Sequence, residues 1–342
     1  MDLPKTRNRN EQALLNGSWV KLICGASNQD LPAIADLCAI FAAAGVHCVD
    51  VAAEMAVLYA AREGLSWAQH HYGAQPWLMV SVSDGADIHF RKAWFDSSRC
   101  PAECSRPCER ICPALAITST GIDISRCYGC GRCLPCCPHG LIEEREHRTS
   151  ARDLVPLLHK FRPDAIEIHT APGRADSFSA LLRYLTKVSP MPLQRLAVSC
   201  SLERHNLKAS DLARELWYRH ALLRRWNYRP LWQLDGRPMS GDIGLGTAGA
   251  AVALWRNLYS IAPPGPLQLA GGTNASTIDL LLPHGPSPAG VAFGGAARHL
   301  LQPWLEQTRR MGLPLRHWPG GCRAALQEVR KLVQPWLDRG GD

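Results

Sequence analysis

Nine of the fourteen cysteines in this chain fall between Cys100 and Cys137. The second half of that stretch reads Cys127-Tyr-Gly-Cys130-Gly-Arg-Cys133-Leu-Pro-Cys136-Cys137-Pro138. It contains C-x2-C-x2-C-x3-C-P, a spacing in which three thiolates wrap one four-iron cubane while the fourth, before proline, turns toward a second cluster. Upstream, Cys100, Cys104, Cys108 and Cys112 recur at every fourth position, and the run from Cys112-Pro113 to Ile117 is echoed from Cys137-Pro138 to Ile142. Cross-ligation then places Cys112 with Cys127, Cys130 and Cys133 on one [4Fe-4S] cluster, and Cys137 with Cys100, Cys104 and Cys108 on another. The x3 steps upstream depart from the usual x2, so the downstream cluster is the better specified. Paired C-x2-C knuckles also bind zinc, but zinc sites seldom run consecutive x2 steps into C-P. Gly129 and Gly131 let backbone N–H groups approach the sulfides. Cys136 is surplus to the pattern: a spare ligand, a redox-sensitive thiol or filler. Clusters with a structural rather than a redox role would satisfy the same motif.

Such a motif needs a scaffold. Length and composition allow one: 342 residues, 46% hydrophobic and 20% charged, can bury a core without disulfide staples. Clustered cysteines also argue against a secreted disulfide framework. Met1–Asn10 is polar and no apolar leader follows it. The apolar stretch Val46–Ala61 is interrupted by His47, Asp50 and Glu54, so no membrane span is expected. The formal charge of +8 counts every thiol as neutral. Two oxidised four-iron sites at about −2 each would leave roughly +4. Net charge is thus no argument for nucleic acid.

Strand-like and helix-like segments alternate through most of the chain. The strands are predicted at Trp19–Cys24, Val46–Val51, Trp77–Val82, Ala165–His169, Arg195–Cys200, Pro230–Leu234, Pro266–Ala270 and Gly290–Phe293, most of them reading as apolar on both faces. Helices are predicted at Leu31–Ala44 (with Asp30 as N-cap), Ala53–Glu63, Ala151–Phe161, Ser177–Val188, Ala209–Trp226, Thr247–Ile261 and Thr277–Leu282. Two more run from Ala296 to Arg310 and, bent or interrupted at Pro335, from Arg323 to Asp338. Eight strands with intervening helices predict an α/β fold, a (β/α)8 barrel, with an open doubly wound sheet as the rival. Gly271-Gly272-Thr273-Asn274 and Gly294-Gly295, after strands seven and eight, favour closure; barrels often hold phosphate there, although glycines also simply permit tight turns. The alternation breaks between Phe90 and His147. The expected organisation is therefore a first part of the barrel (1–90), a ferredoxin-like module (91–147), and the rest of the barrel with a C-terminal helix (148–342).

Weaker signals remain. Asp50, Glu54, Asp84, His169, Asp235, Arg237 and Asp242 fall at predicted strand C-termini and could line a pocket, as solvated loop residues would also do. No nucleophile–base pair stands out, so catalytic residues stay unassigned. Cys24, Cys48 and Cys200 sit at predicted strand ends, where a buried thiol is usually a small hydrophobe. Gly244-Leu-Gly246-Thr-Ala-Gly249 matches G-x-G-x-x-G formally, but reads better as a helix-start turn. The basic, tryptophan-bearing stretch Arg204–Arg229 reads as an amphipathic helix rather than a nucleic-acid surface.

The ferredoxin-like block Cys100–Cys137, set after Trp19–Ser83 and before a long C-terminal region, resembles the light-dependent period protein (LdpA) family of cyanobacteria over nearly the whole chain. That resemblance implies a cytoplasmic iron–sulfur protein that passes redox state, and so light and metabolic state, to the circadian clock. It implies clock-associated or redox proteins as partners and the photosynthetic quinone pool as the suspected signal. Three functions follow as alternatives: a redox sensor acting through protein contacts, an iron–sulfur oxidoreductase working at the barrel mouth, and, from the basic stretch alone, a nucleic-acid binder.

Overall fold

The computed structural model describes residues 5–189, 192–202, 207–237, 244–281 and 286–340. In chain order it begins with α1 (Lys5–Asn16), β1 (Trp19–Ile23), α2 (Leu31–Ala44), β2 (Cys48–Ala52), α3 (Met55–Tyr72) and β3 (Trp77–Ser83). An excursion follows: β4 (Arg91–Trp94), α4 (Pro107–Ile111), β5 (Ile117–Thr118), β6 (Gly121–Ile122), α5 (Cys133–Cys136) and β7 (Glu143–Glu146). The alternation then resumes with α6 (Ala151–Phe161), β8 (Ala165–His169), α7 (Ala175–Val188), β9 (Arg195–Cys200), α8 (Ala209–Arg225), β10 (Pro230–Asp235) and α9 (Ala248–Leu258). Last come β11 (Leu267–Ala270), β12 (Gly290–Phe293), α10 (Gly295–Met311) and α11 (Pro319–Leu337).

Eight parallel strands close in the order β1-β12-β11-β10-β9-β8-β3-β2, which excludes the open sheet. Closure follows from alternation. One face of each strand, such as Val20 and Leu22 or Ile166 and Ile168, joins the helices in one large apolar cluster. The other face points into the barrel. It is not apolar, as the sequence suggested, but carries buried Lys21, Asp50, Ser81, Glu167, Ser199, Gln233 and Gln268. Below this polar layer Trp19, Cys48, Trp77 and Met79 form an apolar floor, sealed by Ala13 and Leu14 of α1. The sequence reading left this N-terminal helix out, because its apolar residues are too few to show a stripe; Glu11 fixes it instead by pairing with Arg195 and Arg229.

Local signals act as the chemistry requires. Asp30 caps α2, accepting from Ala33 N at 3.4 Å, and Gly45 ends it in the left-handed region at φ 103°. Pro335 lies within α11 and does not interrupt it. The segment from Thr277 is a 3-10 turn, Ala275–Leu280, rather than an α-helix; Leu282 is outside the described residues. Among the described residues no helix is long and apolar enough to cross a membrane.

The largest boundary difference is in α3, which runs through Gly64 to Tyr72 instead of stopping at Glu63. Gly64 is not a terminator. A Cβ there would lie 2.0 Å from the carbonyl oxygen of Ala35 on α2, so the glycine sets how closely the two helices pack. Gly64→Ala should therefore destabilise the protein by about 1–3 kcal/mol, despite the gain of about 1 kcal/mol in helix propensity. Urea unfolding of the two forms checks this, and an unchanged or higher midpoint would contradict the packing argument.

Candidate functional site

The cysteine module is a ribbon with two loops. β4 and β7 pair antiparallel, Arg91 opposite Glu146 and Trp94 opposite Glu143, so the excursion leaves and re-enters the barrel at one place. Its apolar core is small: Ala93, Ala114, Ala116, Ile117 and Ile142, packed with Cys108, Cys127 and Cys133. Short helices carry the thiols. Cys108 lies in α4 with Cys112 just after it, and Cys133 opens α5, with Cys136 closing it and Cys137 following.

Two groups of thiols emerge from the electrostatics. Burial, then the proximity of Cys130, Cys127 and Cys112, pushes the Cys133 thiol up to about 12. Cys130 is raised by burial and by Cys112 and Cys127. Separately, Cys100 is raised by desolvation and then by Cys104 and Cys137, and Cys108 by burial and then, among the thiols, by Cys137 and Cys100. Cys112 thus acts on Cys130 and Cys133, and Cys137 on Cys100 and Cys108. Backbone amides aim at sulfur in both: Ala116 N to Cys112 Sγ at 3.3 Å, Ala93 N to Cys127 Sγ at 3.4 Å, and Leu141 N to Cys137 Sγ at 3.4 Å. A tetrahedral zinc with Zn–S near 2.3 Å would draw sulfurs to about 3.8 Å from one another. Among the described residues no three cysteine sulfurs gather within 4.8 Å, so the donor set suits a larger group than a single ion.

Gly129 and Gly131 have a further role. Both are left-handed, at φ 71° and 78°, and a Cβ on them would lie 2.1 Å from Arg91 O and 2.5 Å from Arg91 Nη2 respectively. They let the cysteine loop lie directly on β4. The module then docks over the barrel mouth through polar contacts. Gln29 N donates to Ser125 O at 3.1 Å, Lys92 Nζ reaches Gln29 Oε1 at 2.6 Å, and His147 Nε2 meets Glu54 Oε1 at 2.8 Å. From α10, the Arg298 guanidinium lies 4.2 Å over the Tyr128 ring, while Arg126 pairs with Glu306.

Beneath this contact is a cavity of about 90 Å³, open to solvent. Its wall joins Tyr128 and Cys130 of the module to Glu167 and His169 of β8, Gln233 and Asp235 of β10, Gly271–Thr273 after β11, and Gly294–Ala296 with Arg298 at the start of α10. Its floor is the polar layer. Lys21 Nζ pairs with Glu167 Oε2 and stands 3.8 Å from Asp50 Oδ2. Gln233 Nε2 donates to Glu167 Oε1 at 2.6 Å, Gln268 Nε2 to Gln233 Oε1 at 2.9 Å, and Trp19 Nε1 to Gln268 Oε1 at 2.6 Å. His169 Nε2 lies 3.0 Å from Glu167 Oε1.

Burial raises the Asp50 carboxyl to about 7, although Lys21 opposes the shift. Glu167 goes the other way: burial would raise it, but Lys21 and His169 hold it well below the carboxylate range. Burial would also lower His169, yet Glu167, Asp87 and Asp235 raise it to about 9. At neutral pH the layer therefore holds an anionic Glu167 between two cations.

Of the residues expected at strand ends, His169, Asp235 and Arg237 line the cavity. Asp50 lies under it, both carboxylate oxygens 2.9 Å from Ser81 Oγ. Glu54 and Asp84 are elsewhere, Glu54 on His147 and Asp84 on Arg174 and Thr170. Asp242 and Arg204 lie outside the described residues. Cys48 opens β2 and sits in the apolar floor, away from the mouth. Cys24 faces Cys38 at 3.9 Å, and Cys200 Sγ donates to Gln233 O at 3.3 Å. Gly244–Thr247 is the expected helix-start turn, a 3-10 turn leading into α9. On α8, Arg219 is buried against Glu215 rather than solvated. Lys21, Glu167, Gln233 and Gln268 were missed; polar residues at alternate positions inside otherwise apolar strands were the available signal.

Two family models match the chain. A family model described as the light dependent period A iron–sulfur cluster-binding domain matches residues 100–148, and one for the light dependent period A C-terminal domain matches residues 157–335. The chain is 47% identical to light dependent period A of Synechococcus elongatus over 336 residues, 95% of this chain and 92% of that one. Among solved structures, an open form of tryptophan synthase from M. tuberculosis aligns over 96% of both chains at 12% identity and TM-score 0.43. Thiamine phosphate pyrophosphorylase from Pyrococcus furiosus aligns over 92% of this chain and 98% of its own, at 11% identity and TM-score 0.33.

The titrations of the polar layer set a pH dependence. His169, raised from 6.5 to about 9, contributes stability that is complete below 6.5 and lost as pH rises through about 9. Asp50, raised from 3.8 to about 7, adds a loss of the same sign through about 7. The urea midpoint should fall as pH rises from near neutral through 9, and His169→Gln should flatten the upper part of that fall. A midpoint that rises over this interval would contradict the assignment.

Proposed function

The chain belongs to the light dependent period A family, and from that premise we propose that it is a cytoplasmic iron–sulfur redox sensor relaying light and metabolic redox state to the circadian clock. What supports this reading is that cysteines from the two halves of the motif act on one another, Cys112 on Cys130 and Cys133 and Cys137 on Cys100 and Cys108. Two [4Fe-4S] clusters held by them would supply reversible one-electron chemistry. The protein's own residues then make the module's seating sensitive to charge. Lys92 is close enough to Cys127 to feel its charge, and it bonds to Gln29 in the loop after β1. Arg298 holds Tyr128, the neighbour of Cys127, from the opposite side. A change of charge among the thiols acts on these cations first, and through them on the surface where module and barrel meet. Clock-associated or redox proteins reading that surface, with quinone as the signal, complete the proposal.

A second reading, an iron–sulfur oxidoreductase acting on a substrate or cofactor at the barrel mouth, is favoured by one observation. Cys130 is part of the cavity wall together with Glu167, His169 and Asp235.

Anaerobic purification with iron and sulfide analysis and EPR tests the common premise. About eight iron atoms per chain are expected from two four-iron sites. Cys137→Ala should deplete the cluster held by Cys100, Cys104 and Cys108, and Cys112→Ala the one held by Cys127, Cys130 and Cys133. Cys136→Ala should leave both, and the Cys136/Cys137 double change removes any substitution of one thiol for the other. Loss of only the upstream signal in Cys112→Ala would mean sequential ligation. Pull-downs from oxidised and reduced extracts separate the readings, since identical partner sets in both would remove the sensor.

A further inference from the structure

Two buried donors at the barrel mouth have no partner in the protein. His169 Nδ1 and Arg298 Nε are both unsatisfied, on residues only 5% and 9% exposed, and both residues line the cavity. Leaving such groups dry and unpaired costs on the order of 1–3 kcal/mol each. His169 is 4.0 Å from Asp87 Oδ1, too far for a hydrogen bond, and its other nitrogen is already on Glu167.

Backbone donors face the same space. α10 is 17 residues long, and its N-cap Gly294 supplies no side-chain hydrogen bond. Arg298 N bonds to Gly294 O at 3.1 Å, so the amides of Gly295, Ala296 and Ala297 lie ahead of the helical ladder. Gly294, Gly295 and Ala296 are in the cavity wall. A positive helix end with open amides and a guanidinium suits an oxyanion.

The two ends of the cavity are far apart in the barrel. β12, which leads into α10, stands four places from β8 in the ring of eight, directly across the mouth. The rings of Tyr128, His89 and His169 line the path between them. The carboxylates below do not oppose an anion strongly. Glu167 is matched by Lys21 and His169, and Asp235 accepts from Ser199.

We propose that the barrel mouth binds a phosphorylated organic molecule, its phosphate at the N-terminus of α10 beside Arg298 and its organic part extending to His169. The inference deepens the second reading above and rests on its premise that a small molecule enters the mouth.

The test uses the iron-loaded full chain under anaerobic conditions. Calorimetry and fluorescence report binding of three probes: inorganic phosphate, flavin mononucleotide as a long planar phosphate ester, and riboflavin as the same body without the phosphate. Flavin mononucleotide should compete with phosphate and bind at least about tenfold more tightly than either phosphate or riboflavin. Ala296→Asp places a carboxylate in the first turn of α10, where it favours the helix but opposes an anion. It should weaken phosphate and flavin mononucleotide at least about tenfold while iron content and circular dichroism stay unchanged. Arg298→Lys should retain part of the affinity that Arg298→Met loses, and His169→Gln should narrow the gap between flavin mononucleotide and phosphate. The proposal is overturned if phosphate and the ester both fail to bind, if riboflavin equals flavin mononucleotide, or if Ala296→Asp leaves phosphate binding intact. Binding without turnover under a reductant would keep this site and remove the oxidoreductase reading; turnover indifferent to phosphate would do the reverse.

Discussion

A buried ammonium holds the interior of this barrel together. Lys21 is fully buried, paired with Glu167 across the lumen and close to Asp50 on the neighbouring strand. Away from water such a charge is tolerable only with its partners in place, and removing one partner of a buried pair typically costs about 3–5 kcal/mol. The pair therefore constrains more than itself. It ties β1 to β8 and β2, fixes Glu167 as the anion to which Gln233 and His169 turn, and leaves Asp50 to share its charge with Ser81. From Glu167 the hydrogen bonds continue through Gln233 and Gln268 to the Trp19 indole in the floor. The cavity above has its shape and polarity from this layer.

The eight strands were legible because their outward residues are a run of valine, isoleucine and leucine under helices. Barrel closure was not visible strand by strand; it followed from the count of strand–helix units. The lumen was misread because Lys21, Glu167, Gln233 and Gln268 occupy single positions between apolar neighbours. Their partners are far away in sequence, as with Trp19 and Gln268. In the module, cysteine spacing made an iron–sulfur-binding segment legible, since such spacing is encoded over a few residues. Its seating was illegible for the opposite reason: Tyr128 under Arg298, and Arg126 on Glu306, join segments separated by most of the chain.

The glycines carry two kinds of information that sequence cannot separate. Gly271 and Gly272 are left-handed, and Cβ atoms on them would each meet backbone at 2.9 Å, in the loop after β10 and at Thr247. Packing alone explains both. Gly294 differs: its Cβ would find only Arg298 Nη1 at 3.5 Å and the Ile23 side chain beyond. Packing does not demand glycine there, and a bare N-cap that leaves amides toward the cavity is the more economical account. The same residue type thus reports close approach after one strand and access after the next.

The position of the module within the chain also orders its biosynthesis. The nine clustered cysteines lie between β3 and β8, whereas Arg298 and Glu306, which contact the module, belong to α10 near the end of the chain. A chain emerging from its N-terminus presents the finished cysteine ribbon, with β4 and β7 already able to pair, before the second half of the barrel exists. The ring cannot close until β12 meets β1, because that pair joins the last strand to the first. The cysteine ribbon can consequently form before ring closure, and most of its thiols stay partly exposed after it.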